Sequence, residues 1–289
     1  MVLVCLVTIT LRGGQNFGSN LFDNVKVYSS STADPVIWKY DNTKYWPTEG
    51  YINFLAYAPH VENKTLTGSS INFTVEGEAA NQTDLLWANA KDQTKANNSG
   101  NNKVELTFKH ALAKIGYTVK LKEAYSNATI TLNKITLAGS ADEATKAFYK
   151  TGTIDLSKTS SDGLWTNQSS NDKQNFNWFS ETQPATTITS ASTPNPDTKY
   201  LFVIPQDFSK TEENADKLYV IVAYTIKYTK YNNGEMEEMK STVSSPIVMN
   251  FLQGKAYMIN LTIGLTPIEF EADVKTWENG TTIPEIPME

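Results

Sequence analysis

The chain has 289 residues, of which 25 are basic and 31 acidic, and its formal net charge is −6 at pH 7. Arg12 is the single arginine, so bidentate phosphate binding is nearly excluded, and no basic patch favours nucleic-acid binding. Hydrophobic residues make up 40% of the chain, which is enough to build a core. A chain of this length suits two domains of about 100–150 residues better than one.

The first predicted element is a β-strand over Met1–Leu11, because apolar residues alternate there with a period of two. One face of this strand is apolar throughout and consists of Leu3, Cys5, Val7, Ile9 and Leu11. Arg12 and two glycines follow at once. A basic residue between a strand and a flexible segment is a candidate protease site, although an ordinary exposed turn arginine would occupy the same position.

Short alternating segments with turn signals between them continue through the first third of the chain. They predict strands at Asn24–Ser29, Val36–Tyr40, Ile52–Ala58, Ser70–Glu76 and Asp84–Asn89. Residues 90–102 are polar and rich in asparagine, which is typical of a linker. We therefore place a domain boundary there, with one domain over residues 1–102 and a second over residues 103–289.

The second domain opens with two predicted strand stretches in Val104–Leu121, joined by a bend at Ala111–Ala113. Further strands are predicted at Thr129–Leu137, Thr153–Leu156, Thr186–Thr189, Tyr200–Ile204, Leu218–Tyr231, Glu235–Val243, Tyr257–Ile263 and Ile268–Lys275. The Asn-Gly pair at residues 233–234 predicts a hairpin between two of these strands. Helix is nearly absent from the pattern. The predicted fold class is all-β, with two Greek-key β-sandwiches in tandem.

Catalytic and metal-binding patterns are weak in this chain. His60 and His110 are fifty residues apart, whereas a zinc site needs about four ligands and usually a paired spacing. No G-x-S-x-G motif occurs, and Cys5 has no evident base as a partner. We therefore expect no metal, no cofactor and no enzymatic activity. A hydrolase with two facing carboxylates on a β-scaffold is the alternative that the sequence alone leaves open.

Six tryptophans raise the question of sugar binding by aromatic stacking. Trp38, Trp87 and Trp277 lie in or beside apolar strands and are predicted to be core residues. Trp165 and Trp178 lie in a polar segment, are predicted to be the more exposed pair and are the candidates for glycan contact. The competing interpretation is a loop held against the sandwich by its aromatic side chains.

Several segments together carry a family resemblance. They are YWP at Tyr45–Pro47, NFLAYAPH at Asn53–His60, LTFKHALAKI at Leu106–Ile115, LFVIPQ at Leu201–Gln206, LQGKAYMINLTI at Leu252–Ile263 and IEFEADVKTWENG at Ile268–Gly280. In this order and spacing the chain resembles the fimbrillin family of Bacteroidetes, whose members are subunits and accessory proteins of surface fimbriae. The resemblance implies two β-sandwiches of transthyretin-like type.

The resemblance also implies an assembly mechanism, in which subunits are exported as lipoproteins to the outer membrane and cut after an arginine or lysine. Removal of the first strand then leaves a groove that a strand of another fimbrial subunit fills. Arg12 occupies the position of the cut, and Leu3, Cys5, Val7, Ile9 and Leu11 would fill the groove before it. The implied function is a structural or accessory subunit, such as a tip subunit, that contributes to adhesion. A glycan-binding surface module is the alternative.

Two features depart from the family pattern. Met1–Thr10 lacks the basic n-region and the small-residue cleavage site expected of a signal peptide, and Val4 does not suit a lipoprotein cleavage site. Pro284 and Pro287 interrupt the C-terminal tail, and a donor strand must pair on both sides. We therefore expect the tail to be a poor donor, as in a terminal or accessory subunit.

Overall fold

The computed structural model describes residues 4–12, 15–16, 21–29, 38–98, 103–126, 128–166, 168, 172–179, 186–194, 200–230, 234–264, 269–276 and 283–286. For residues 4–12, 15–16, 193–194, 269–276 and 283–286 the description is limited to the backbone. Leu3 and Trp277, both singled out by the sequence, lie outside the described residues. No helix in the described ranges is long and apolar enough to cross a membrane.

The described chain is built from strands, as predicted, with a single 3-10 turn at Ala79–Asn81. The strands up to residue 121 are β1 (Val4–Arg12), β2 (Gln15–Asn16), β3 (Val25–Ser29), β4 (Trp38–Tyr40), β5 (Tyr51–Ala58), β6 (Ser70–Thr74), β7 (Leu86–Gln93), β8 (Lys109–His110) and β9 (Ala113–Leu121). Those up to residue 207 are β10 (Ala128–Ala138), β11 (Phe148–Tyr149), β12 (Thr151–Asp155), β13 (Trp165–Thr166), β14 (Lys173–Gln174), β15 (Phe176–Phe179), β16 (Thr186–Ile188), β17 (Thr193–Pro194), β18 (Leu201–Val203) and β19 (Gln206–Asp207). The last six are β20 (Tyr219–Thr229), β21 (Met236–Pro246), β22 (Asn250–Phe251), β23 (Lys255–Ile263), β24 (Glu269–Thr276) and β25 (Ile283–Ile286).

Two compact units divide the chain, and neither is continuous in sequence. The first comprises residues 1–73, 83–111 and 152–168, and the second comprises residues 74–82, 112–151 and 169–289. This division differs from the expected single boundary at residue 102. The physical reason is that β8 adds to β7 in the same sheet, with Leu86 paired to His110 and Trp87 to Lys109. The first four residues of the predicted linker belong to β7, and the rest leads to a neighbouring strand of the same unit.

The first unit contains a seven-stranded sheet and a three-stranded sheet. The seven-stranded sheet has the order β4-β3-β1-β5-β7-β8, with β2 paired to β1, and the smaller sheet has the order β13-β12-β6. Asn89 in β7 donates to the carbonyls of Leu156 (2.8 Å) and Lys158 (2.6 Å), just beyond β12. These bonds tie the two sheets together within the unit.

The second unit contains two large sheets. One has the order β15-β10-β20-β21, with β16 also on β10, and the other has the order β17-β9-β23-β24-β25, with β18 also on β9. The predicted hairpin at residues 233–234 is confirmed, because β20 and β21 pair antiparallel from Thr229 and Met236 onward. β9 and β23 pair in parallel, which short-range patterns do not predict.

Trp178 lies at the centre of the second unit, which corrects the prediction that it is exposed. Its side chain is 1% exposed and meets the Tyr117 ring edge-on, with ring centroids 4.8 Å apart. Since Trp178 is in β15 and Tyr117 in β9, this contact joins the two large sheets. Burial also raises the pKa of Tyr117 to about 12, because the surroundings disfavour the phenolate.

Trp87 and Trp38 were both predicted to be core residues, and the two predictions have different outcomes. Trp87 is 1% exposed, so its prediction as a core residue is confirmed. Trp38 is 47% exposed, so its prediction as a core residue is wrong. Trp38 lies in the terminal strand β4 of its sheet, where a neighbour covers only one edge.

The C-terminal tail contains a strand that the sequence did not predict. β25 pairs with β24 through Ala272–Ile286 and Val274–Ile283, with an irregular register between them. It is the last strand of its sheet and includes Pro284. An edge strand needs partners on one side only, so a residue without an N–H is tolerated there.

Candidate functional site: the first strand and its neighbours

β1 occupies an interior position in the seven-stranded sheet. It pairs antiparallel with β5 over seven residue pairs, from Cys5 with Tyr57 to Leu11 with Tyr51. On its other side it pairs antiparallel with β3, and Val4 lies opposite Val27. The predicted first strand is therefore confirmed for the backbone from Val4 to Leu11. Withdrawal of β1 would leave the facing edges of β3 and β5 unpaired, and we call this space the β1 slot.

β5, one wall of the β1 slot, is buried on both faces. Ile52, Phe54 and Ala56 belong to a hydrophobic cluster on one face and are at most 6% exposed. On the other face Leu55 and Tyr57 are each 1% exposed. A strand buried on both faces has only its edges left for pairing, so the β5 wall of the β1 slot lies between two apolar layers.

Asn24 fastens the second wall of the slot to the first. The Tyr57 hydroxyl donates to its side-chain oxygen (2.7 Å), and its side-chain nitrogen donates to the Val61 carbonyl (3.0 Å). His60 donates from Nε2 to the Asn24 carbonyl (3.2 Å). Asn24 has φ 49°, a left-handed conformation that asparagine tolerates better than most residues. These bonds join the start of β3 directly to the end of β5. We call the group the Asn24 clamp.

Asn24→Ala should lower the free energy of unfolding by about 2–5 kcal/mol. Two side-chain hydrogen bonds worth about 0.5–1.5 kcal/mol each are lost, and a left-handed alanine costs roughly 1–2 kcal/mol more. Asn24→Gly keeps the backbone conformation and loses only the bonds, so its effect should be smaller. Denaturant unfolding of both variants measures the difference. Equal effects of the two substitutions would contradict a conformational role for Asn24.

Arg12 is the last residue of β1. Its backbone pairs with Gln15 of β2, and Leu11 pairs with Asn16, so two residues separate the paired positions. A connection of two residues is the shortest common hairpin, and glycines at residues 13 and 14 suit it. Cys5, Val7 and Ile9 lie in register with Tyr57, Leu55 and Asn53. Burial of these β1 side chains stays a prediction, because the structure describes only the backbone of β1.

Trp165 and Trp178, the predicted glycan pair, lie in different surroundings. Trp178 is in the core of the second unit, whereas Trp165 belongs to the first unit and is half-buried. Trp165 donates from Nε1 to the Ala111 carbonyl (2.8 Å) and packs edge-on against Phe73. This arrangement matches the competing interpretation of aromatic anchoring. Glycan contact at Trp165 stays a prediction.

The two histidines take part in structural hydrogen bonds. His60 belongs to the Asn24 clamp, and His110 Nδ1 lies 2.5 Å from Asp84 Oδ2. Across the described residues, no group of three or more histidine, cysteine or carboxylate side chains is arranged to hold a metal ion. His110 and Asp84 instead link β8 to the segment before β7, which supports the end of the seven-stranded sheet.

A polar recess of about 500 Å³ lies in the second unit, with Lys146, Lys173 and Asp216 in its lining. Lys173 is ion-paired with Asp216, and its ammonium lies 4.9 Å from the centre of the Tyr149 ring. Gln206 donates to Asp216 Oδ2 (2.7 Å). Burial, followed by the charge of Asp216, raises the pKa of Tyr149. These contacts form a network of hydrogen bonds and an ion pair around Asp216.

Comparison with protein families decides the assignment. A model of the fimbrillin-like family matches residues 5–277. The chain belongs to the fimbrillin-like family. The family match begins within β1 and extends through β24, so it includes the β1 slot and both units. A comparison of this fimbrillin-like chain with curated proteins finds no match.

Solved structures share the fold of this fimbrillin-like chain. A fimbrial protein from Bacteroides vulgatus has a TM-score of 0.65 and 19% identity, covering 96% of this chain and 92% of that one. A candidate cell adhesion protein from Parabacteroides distasonis has a TM-score of 0.52 and 9% identity, covering 96% and 88%. Another, from Bacteroides uniformis, has a TM-score of 0.50 and 17% identity, covering 95% and 91%. These matches confirm the predicted all-β sandwich fold class.

No local sequence pattern predicts the Asn24 clamp. The available signal was an asparagine directly before a strand, a position where a left-handed residue often begins a turn. Its partners Tyr57 and Val61 are more than thirty residues away in sequence, so no local pattern connects them.

Proposed function

We propose that this fimbrillin-like protein is a structural or accessory subunit of bacterial surface fimbriae and acts by β-strand addition rather than catalysis. In this proposal, cleavage after Arg12 releases β1, and a strand from another fimbrial subunit then occupies the β1 slot. The protein would act at the cell surface and contribute to adhesion. Export as a lipoprotein and the outer-membrane location belong to the same proposal.

The interior position of β1 is the observation that carries the proposal. A removable strand at a sheet edge would leave little behind, whereas an interior strand leaves two edges with unpaired backbone groups. The β5 edge is long and lies between two buried faces. Backbone hydrogen bonds supply affinity in such an exchange, and alternate side chains supply specificity.

The Asn24 clamp supports the second half of the mechanism. A slot is useful to an incoming strand only if its walls stay in place after β1 leaves. The clamp joins β3 directly to β5 through Tyr57, His60 and Val61, in addition to the pairing of both strands with β1. A preorganised slot lowers the conformational cost of binding the new strand.

N-terminal sequencing of protein from assembled surface fibres tests this proposal. The assembled protein should begin at Gly13, and an Arg12→Gln variant should stay uncut and be lost from the fibres. Lys39→Gln is a matched control, because it removes one positive charge from an exposed position in β4. Fibres that contain chains still carrying Met1–Arg12, or that incorporate Arg12→Gln normally, would overturn the proposal.

A further inference from the structure

The second unit ends one of its large sheets in a long edge. β21 has 11 residues and pairs with β20 along its whole length, from Met236 with Thr229 to Pro246 with Tyr219. No other described strand pairs with β21, which is the last strand in its sheet. Its outer edge therefore presents a row of backbone donors and acceptors that an additional strand can use.

The hairpin fixes which residues direct their backbone groups outward. Lys230 donates from its backbone N–H to the Glu235 carbonyl (2.8 Å), so this pair is hydrogen-bonded across the hairpin. In an antiparallel ladder the hydrogen-bonded pairs alternate. The odd-numbered residues of β21 therefore bond to β20. Glu238, Lys240 and Thr242 have their backbone groups on the open side.

The side chains along this edge are exposed and carry both charges. Met236 is 63% exposed and Met239 is 50% exposed, so both offer apolar surface along this strand. Glu238 and Lys240 are two residues apart and both exposed, so their side chains lie on the same solvent-exposed face of the sheet. Glu238 also forms an ion pair with Lys227 of β20 (2.6 Å). A positive and a negative charge at this spacing can complement a copy of themselves.

We propose that β21 pairs antiparallel with β21 of a second copy of this chain, with Met239 on the two-fold axis. A symmetric antiparallel pair requires an axis perpendicular to the sheet, so one residue must face its own copy. With Met239 on the axis, Glu238 of each copy lies opposite Lys240 of the other. The Met239 side chains of the two copies then face each other.

Charge excludes the neighbouring registers. An axis at Glu238 or at Lys240 places like charges directly opposite each other, which destabilises a strand pair. An axis at Ser241 sets Lys240 against Thr242 and pairs neither charge. The register at Met239 forms two ion pairs, each between Glu238 of one copy and Lys240 of the other. This complementarity favours a second copy as the occupant. This contact uses no residue of β1, so it is separate from strand exchange in the slot.

Sedimentation of the full chain over a range of concentrations tests the pairing. The wild-type chain should form a dimer, and Lys240→Glu should raise the dissociation constant roughly tenfold or more, because two attractive pairs become repulsive. Glu238→Lys combined with Lys240→Glu should restore the dimer. Lys120→Glu, the same charge change at an exposed position in β9, should have no effect. A wild-type chain that is monomeric at every concentration would overturn the proposal.

Cross-linking tests the register directly. In a Cys5→Ser background, Met239→Cys should form a disulfide between copies under mild oxidation, because facing residues on the axis are close enough for that bond. Val243→Cys should not, since four residues from the axis place the two cysteines about 27 Å apart at ~3.4 Å per residue. Equal cross-linking at both positions would contradict the assigned register.

Discussion

Removal of Met1–Arg12 should lower the melting temperature by on the order of 10 °C or more. Burying four or five apolar side chains of β1 contributes at most about 1.5–3 kcal/mol each, against a typical total stability of about 5–15 kcal/mol. The seven residue pairs between β1 and β5 add backbone hydrogen bonds to this loss. The first unit lies between the sizes for which each kilocalorie lost lowers the melting temperature by about 4–8 °C and by about 2–4 °C, so roughly 4 °C per kilocalorie is expected.

The single arginine makes this experiment clean, because an arginine-specific protease has one cleavage site in the chain. The cut segment must be separated in mild denaturant, since a nicked chain with β1 still bound should melt almost as the intact chain does. Arg12→Gln, treated in the same way, controls for the protease. Its melting temperature should not change.

Addition of a β1 peptide to the cut protein should restore the melting temperature in a concentration-dependent way. A matched peptide with aspartate in place of Val7 and Ile9 should not restore it, because charged side chains are costly to bury in an apolar slot. Equal melting temperatures of cut and intact protein, with no response to the peptide, would rule out strand exchange for this chain.

Trp178→Ala should cost about 3–5 kcal/mol of stability, the usual range for truncating a buried aromatic side chain. The indole is 1% exposed and joins the two large sheets of the second unit through Tyr117, so its loss leaves a cavity between them. Thermal and denaturant unfolding measure the effect. Trp38→Ala is the matched control, because this side chain is 47% exposed and its loss should change stability much less.

The same variant separates the two interpretations of Trp178. A core residue predicts a large loss of stability, whereas an exposed sugar-stacking residue predicts lost glycan binding with unchanged unfolding. An unfolding midpoint equal to that of the wild type would contradict the core position. The remaining glycan prediction concerns Trp165, and glycan binding by the Trp165→Phe variant can be measured on an array. Because phenylalanine preserves an aromatic ring, a stacking role predicts that binding is largely retained.

In the segment around Trp178, side-chain alternation and composition indicate different structures. Phe176 and Trp178 are buried and Asn177 between them is exposed, which is the alternation of a strand. The strand has only four residues and lies among asparagines, glutamines and serines, so composition favoured a loop. Pairing with β10 decides the outcome, because a neighbouring strand satisfies the backbone of a segment too short to be recognised by itself.

The sequence by itself determined the long strands, the hairpin between β20 and β21, the scarcity of helix and the family resemblance. Each depends on side-chain alternation or turn chemistry within a few residues. Tertiary structure decided which strands are neighbours: β8 extends the sheet of β7 across the polar linker, β9 meets β23 in parallel, and β1 lies between β3 and β5. Alternation tells which face of a strand is buried, but any strand edge offers the same backbone groups. The choice of partner therefore depends on packing over the whole unit, and so does the Asn24 clamp that holds the β1 slot.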